Sequence, residues 1–245
     1  MAPSSASSTN TAVAPTTVGD GPTRPVIGIL VGVLLIPILG TIILTVGHAF
    51  VTILLRHGFW RSAEFWYFLQ GTLMWAVCFF GLPQRPLRVL YVFAHEWTHA
   101  LFVFLSGGRL LRRPSVTSQG GQIVTTKDNL LIRLSPYVFP FYSVLAGLLF
   151  AVANVFLTFS TPLLWSLYAV LGFTWSFHLT FTAWVVRTRQ PDLDRSGRFF
   201  SLVLIALINL LTLTLLLTIA SPDLTFRSLI DLWQERVGAL LTVFP

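Results

Sequence analysis

Apolar runs of about 20 residues recur along this chain, each long enough to cross a hydrocarbon core of about 30 Å as a helix. They lie at about 25–46, 65–82, 87–105, 136–159, 162–186 and 199–219, separated by breaks such as "RHGFWRSAE", "PQRP" and "RTRQPDLDRSGR". A backbone in lipid must satisfy its own hydrogen bonds, so runs of this length are expected to be helical. Charged residues make up 10% of the 245, against about 25% in an average soluble domain, which excludes an ordinary soluble fold. The expected fold class is an all-α polytopic membrane protein with six transmembrane helices in one membrane domain over 25–219.

Three segments depart from this pattern. Residues 1–24 are rich in Ser, Thr, Ala and Pro and lack both the charged start and the early apolar core of a signal peptide, so a disordered tail is expected. Residues 107–133 form the only long polar connection, "GGRLLRRPSVTSQGGQIVTTKDNLLIR". Its β-branched runs on either side of Gly120 and Gly121 predict a small β-hairpin after the third span, and Gly107 and Gly108 predict the stop of the preceding helix. At the C-terminal end, 220–245 sets Leu229, Trp233, Val237 and Leu240 toward one side and Asp231, Glu235 and Arg236 toward another, as in an amphipathic interfacial helix.

The net charge of +7 comes from arginines scattered between apolar runs, without a basic stripe, which argues for membrane topology and against a nucleic-acid partner. With six spans, the connections at 56–61, 107–133 and 187–198 share one side and hold eleven of the 16 Lys and Arg residues. By the positive-inside rule these connections face the cytoplasm, in a cell (inner) membrane, and both termini face away from it. The single cysteine, Cys78, excludes an intramolecular disulfide and a cysteine metal cage.

Within the third run stands "FAHEWTHALF", residues 93–102. On a helix His95 and His99 lie at i and i+4, about 40° apart around the axis, so both imidazoles can reach one zinc ion. Glu96 between them can accept a proton from water that the metal activates. Glu96 is also the only acid well inside an apolar run. An ionisable group near the bilayer centre costs about 2.5–3.5 kcal/mol on insertion scales, so one retained there points to a functional role. A catalytic zinc takes three protein ligands and leaves one position open. The residues alone leave the third ligand between Asp192 or Asp194, in "QPDLDRSG" after the fifth span, and His178, which by residue count matches the depth of His95 and His99.

The order of these elements over about 87–198 resembles the site-2 protease family of intramembrane zinc metalloproteases: an HExxH span, a Gly-rich hairpin segment, a middle span, then an acid-bearing segment after the next one. The resemblance implies His95 and His99 as zinc ligands, Glu96 as general base and, by position, Asp192 as the third ligand. Asp192 is followed by Leu193 where the family has an Asp-Gly pair, so His178 stays beside it as a candidate. The expected activity is hydrolysis of a peptide bond within or next to the membrane, with one zinc ion as cofactor and the lipid bilayer and a membrane-protein or peptide substrate as partners. The reading from a different class is a non-proteolytic membrane protein, a pseudoprotease scaffold, metal sensor or transport component that keeps the metal site.

Overall fold

The structure is a computed structural model describing residues 23–55, 59–157, 161–220 and 225–243. Helix α1 spans Thr23–Leu55, α2 Ala63–Gly81 and α3 Gln84–Leu105. A hairpin of β1 (Leu110–Thr117) and β2 (Gly120–Thr125) follows, then α4 (Leu130–Val138), α5 (Phe141–Phe156), α6 (Thr161–Val185), α7 (Pro191–Arg195), α8 (Arg198–Ala220) and α9 (Phe226–Val243). The expected all-helical body with one small antiparallel hairpin is therefore present. The tail expected over 1–24 lies, up to residue 22, outside the described residues.

Local chemistry sets the boundaries. Ser62 caps α2 by accepting from the Phe65 amide at 3.3 Å, and Asn129 caps α4 by accepting from the Ile132 amide at 2.8 Å. Helix α3 ends where Gly107 turns to a φ of 72°, with its amide on the Phe104 carbonyl and that of Gly108 on the Val103 carbonyl, both at 2.8 Å. The hairpin turn is Ser118–Gln119, with Thr117 paired to Gly120, so the glycine pair begins β2 and does not itself form the turn.

Among the described residues, two helices, over 26–52 and 198–216, are long and apolar enough to cross a membrane. A third span results if α4 and α5 count as one. The six expected spans are thus not reached, for two physical reasons. Helices α2, α3 and α6 stand where the second, third and fifth were expected, but Trp, Tyr, Thr, Ser, His and charged side chains dilute their apolar content. The fourth run starts earlier, at Leu130, and is broken at 139–140, where Pro140 cannot continue α4 and the axis bends by 76°. Helix α9 lays Leu229 against the body, and Trp233 donates to the Thr41 hydroxyl of α1 at 3.0 Å. The side expected to meet the bilayer surface is thus partly taken up by protein.

Helices α2 and α6 pack most closely. A Cβ on Gly71 would overlap the Ala169 carbonyl, and one on Gly172 would overlap the Phe68 carbonyl. Small residues let the two backbones meet, and polar side chains then join them: Trp75 donates to the Thr180 hydroxyl at 3.0 Å and Ser176 to that of Thr72 at 3.1 Å. The core beside this seam holds Trp75, Tyr91, Tyr137, Phe177, Phe181 and Leu193. Overpacking such a seam costs about 1–3 kcal/mol. Gly71→Ala and Gly172→Ala are each expected to destabilise by that amount in a detergent-to-SDS unfolding titration, whereas Gly147→Ala, with open space around it, stays at the wild-type midpoint or above.

Candidate metal centre

Helix α3 buries Leu87, Tyr91, Ala94, Thr98 and Val103 at intervals of three to five residues, with His99 and Ala100 buried beside them, so that one face turns inward. The helical repeat puts His95 on that face beside His99, their Nε2 atoms 3.2 Å apart. Glu96, one position around, is also buried, at 6% exposure. It faces the hairpin: a Cβ on Gly121 would lie 2.7 Å from Glu96 Oε1 and 2.7 Å from the Ser115 carbonyl oxygen. Only a glycine lets β2 lie this close to the carboxylate.

The third group arrives from α7. Pro191 starts this short helix, and Leu193, fully buried, fastens it to the core while its carbonyl accepts from the Ser201 hydroxyl at 3.2 Å. Asp192 is thereby turned to α3, with Oδ2 3.6 Å from His95 Nε2 and 3.4 Å from His99 Nε2. Asp194 is turned elsewhere, to Arg198 at 3.8 Å. Burial alone would raise the Asp192 carboxyl, but the hydrogen bonds and charge of the two imidazoles outweigh it and hold the group well below the usual carboxylate range. It is an anion throughout the neutral range.

These three side chains fit a metal ion. One ligand atom from each of His95, His99 and Asp192 can be chosen so that all lie within 4.8 Å of one another. Zinc bonds of about 2.0–2.2 Å at tetrahedral angles place neighbouring ligand atoms about 3.3–3.6 Å apart, close to the 3.2, 3.4 and 3.6 Å edges here. The His99 Nδ1 lies 2.8 Å from the Ile132 carbonyl, which can only accept, so in the neutral ring the proton is on Nδ1 and Nε2 offers a lone pair. Electron-rich atoms converge from three directions, an arrangement that a cation stabilises.

Outer partners hold each of the three groups. The Tyr91 hydroxyl meets His95 Nδ1 at 3.2 Å, Ile132 holds His99, and the Tyr137 hydroxyl donates to Asp192 Oδ2 at 3.4 Å. Such partners orient ligands and tune their basicity. Tyr91 could have been found in the sequence, since it stands four residues before His95 on the same helix face. Tyr137 and Gly121 carry no comparable linear signal.

His178 is not in the group. It is buried on α6 beside Asn209 and the Tyr137 carbonyl, and its Nε2 has no hydrogen-bond partner within normal limits among the described residues. It does share with His95 the lining of a small cavity of about 10 Å³, the space of roughly one water. Comparison of the chain with protein-family models, curated proteins and solved structures finds no match.

Proposed function

We propose that this protein is a membrane-embedded zinc metallopeptidase that hydrolyses peptide bonds within or next to the bilayer, in the manner of the site-2 protease family that its motif order resembles. The observation that carries this reading is the triangle of His95, His99 and Asp192 with the buried carboxylate of Glu96 adjoining it on the same helix. The Nε2 atoms of both histidines and the Asp192 carboxylate would hold the ion. A zinc ion there would supply a Lewis acid for the scissile carbonyl and a lowered pKa for the attacking water.

The chain's own residues do the rest. Glu96 accepts the proton of the water and delivers it to the leaving amine. Tyr91 and the Ile132 carbonyl keep both rings turned toward the ion, and Tyr137 steadies Asp192. Strand β2, which lies over Glu96 at Gly121, could pair with an unwound substrate as an added strand. The reading keeps the six-span topology as its finer version, with α2, α3 and α6 as membrane helices enclosing the polar site. In it the hairpin and the Asp192 segment face the cytoplasm, following the arginine distribution.

Two observations favour the non-proteolytic reading: the cavity beside His95 is only about 10 Å³, and hairpin backbone lies against Glu96. Metal analysis of the purified chain, with cleavage assayed on the same sample, separates the two. The peptidase is expected to hold about one zinc ion per chain and to lose hydrolysis on chelation, regaining it on zinc addition. A chain without zinc would end the enzyme reading, and zinc without hydrolysis would favour the sensor or scaffold.

A further inference from the structure

We infer that the groove between Trp97 and β1 is a specificity site that selects peptide substrates carrying an acidic residue beside an apolar one, two to three residues from the scissile bond. This inference rests on the peptidase reading and names a substrate class for it. The groove, of about 540 Å³, is lined by Trp97, Leu110, Leu111, Arg112, Arg113 and Pro114. Pro114 of the groove directly precedes Ser115, whose carbonyl lies with Glu96 Oε1 against Gly121, so one end of the groove adjoins the site.

Strand β1 is poorly made for backbone pairing. Its register with β2 shifts between Leu110 and Arg112 and again between Arg112 and Ser115, which leaves Arg113 and Pro114 outside the ladder. Pro114 has no amide hydrogen to donate, and bulges of this kind redirect side chains. What β1 offers a ligand is therefore side chains: an apolar wall from Leu110, Leu111, Pro114 and Trp97, and two guanidinium groups.

Charge selects the occupant. From Trp97 to Lys127 the sequence has no Asp or Glu, while Arg109, Arg112, Arg113 and Lys127 are cationic. Lys127 donates to the Ser106 carbonyl at 2.6 Å, whereas Arg109, Arg112 and Arg113 form no ion pair among the described residues. An exposed guanidinium pair above an apolar wall complements a carboxylate next to an apolar side chain. The spacing follows from the chain: Ser115, whose carbonyl borders Gly121 over Glu96, is two to three residues from Arg113 and Arg112, at most about 11 Å for a fully extended chain. An anionic lipid headgroup shares the charge, but a position one to three residues along β1 from the Ser115 carbonyl beside Glu96 favours the peptide.

The test measures binding, not cleavage. The full chain carrying Glu96→Gln, in neutral detergent, is titrated into two fluorescein-labelled peptides that share one apolar segment and end in Asp-Glu-Asp or Asn-Gln-Asn. The acidic peptide is expected to bind about tenfold tighter at low salt, as two exposed charge pairs would provide, and to lose this preference in R112Q/R113Q but keep it in R112K/R113K. Equal affinity for the two peptides overturns the inference, as does a preference that survives R112Q/R113Q. Displacement of both peptides equally by phosphatidylglycerol, with discrimination absent, would identify a lipid site and overturn it too. Failure of the wild-type chain to hydrolyse any peptide would remove the peptidase reading without altering these affinities, so the two failures are distinguishable.

Discussion

Glu96→Gln is expected to lower peptide hydrolysis by about 10²–10⁴-fold, the contribution of a positioned general base, while zinc content is unchanged. The two readouts separate because Glu96 is outside the triangle of candidate ligands formed by His95, His99 and Asp192. Glutamine has the volume of glutamate, so the close approach of Gly121, where a Cβ would sit 2.7 Å from Oε1, is preserved and the hairpin keeps its place. An amide cannot accept the proton of the attacking water, so the loss falls on kcat. Hydrolysis at the wild-type rate in a zinc-loaded variant would refute the proposed role of Glu96.

Asp192→Ala is expected to weaken zinc binding by more than about 100-fold, beyond the 10–100-fold typical when only an outer partner is lost. His178→Ala and Asp194→Ala are expected to retain the metal. Asp192 Oδ2 lies 3.4–3.6 Å from both Nε2 atoms. Asp194 is paired with Arg198, and His178 sits beside Asn209 on another helix. Removing the carboxylate also leaves the buried Tyr137 hydroxyl without its acceptor, which costs about 1–3 kcal/mol, so Asp192→Asn serves as the companion that keeps a polar atom there. Zinc titration monitored by a chromophoric chelator gives all four affinities. Loss of metal in His178→Ala with retention in Asp192→Asn would reverse the assignment.

Features set by neighbours along the chain could be read in advance. The stop of α3 at Gly107, the hairpin after it and the shared face of His95 and His99 each depend on backbone geometry over a few residues. The fourth run differs from a single straight helix because mean apolarity does not register a bend: Pro140 breaks it and Asn129 starts it early, so it is two helices at 76°. The tail helix α9 had the right amphipathic pattern, but a pattern does not say whether lipid or α1 meets the apolar side.

The metal centre divides along the same line. Two of the candidate ligands and the proposed base lie within five consecutive residues, and the 3.6-residue repeat brings them together in any helix that contains them. The third group is far along the chain from His99, and Asp192 and Asp194 are chemically identical candidates on either side of Leu193. Burial of that leucine in the core fixes the rotation of α7 and so turns Asp192 to the histidines and Asp194 to Arg198. Helical periodicity acts over one turn and is written in local order; the orientation of α7 comes from packing among α4, α7 and α8, which no local pattern encodes.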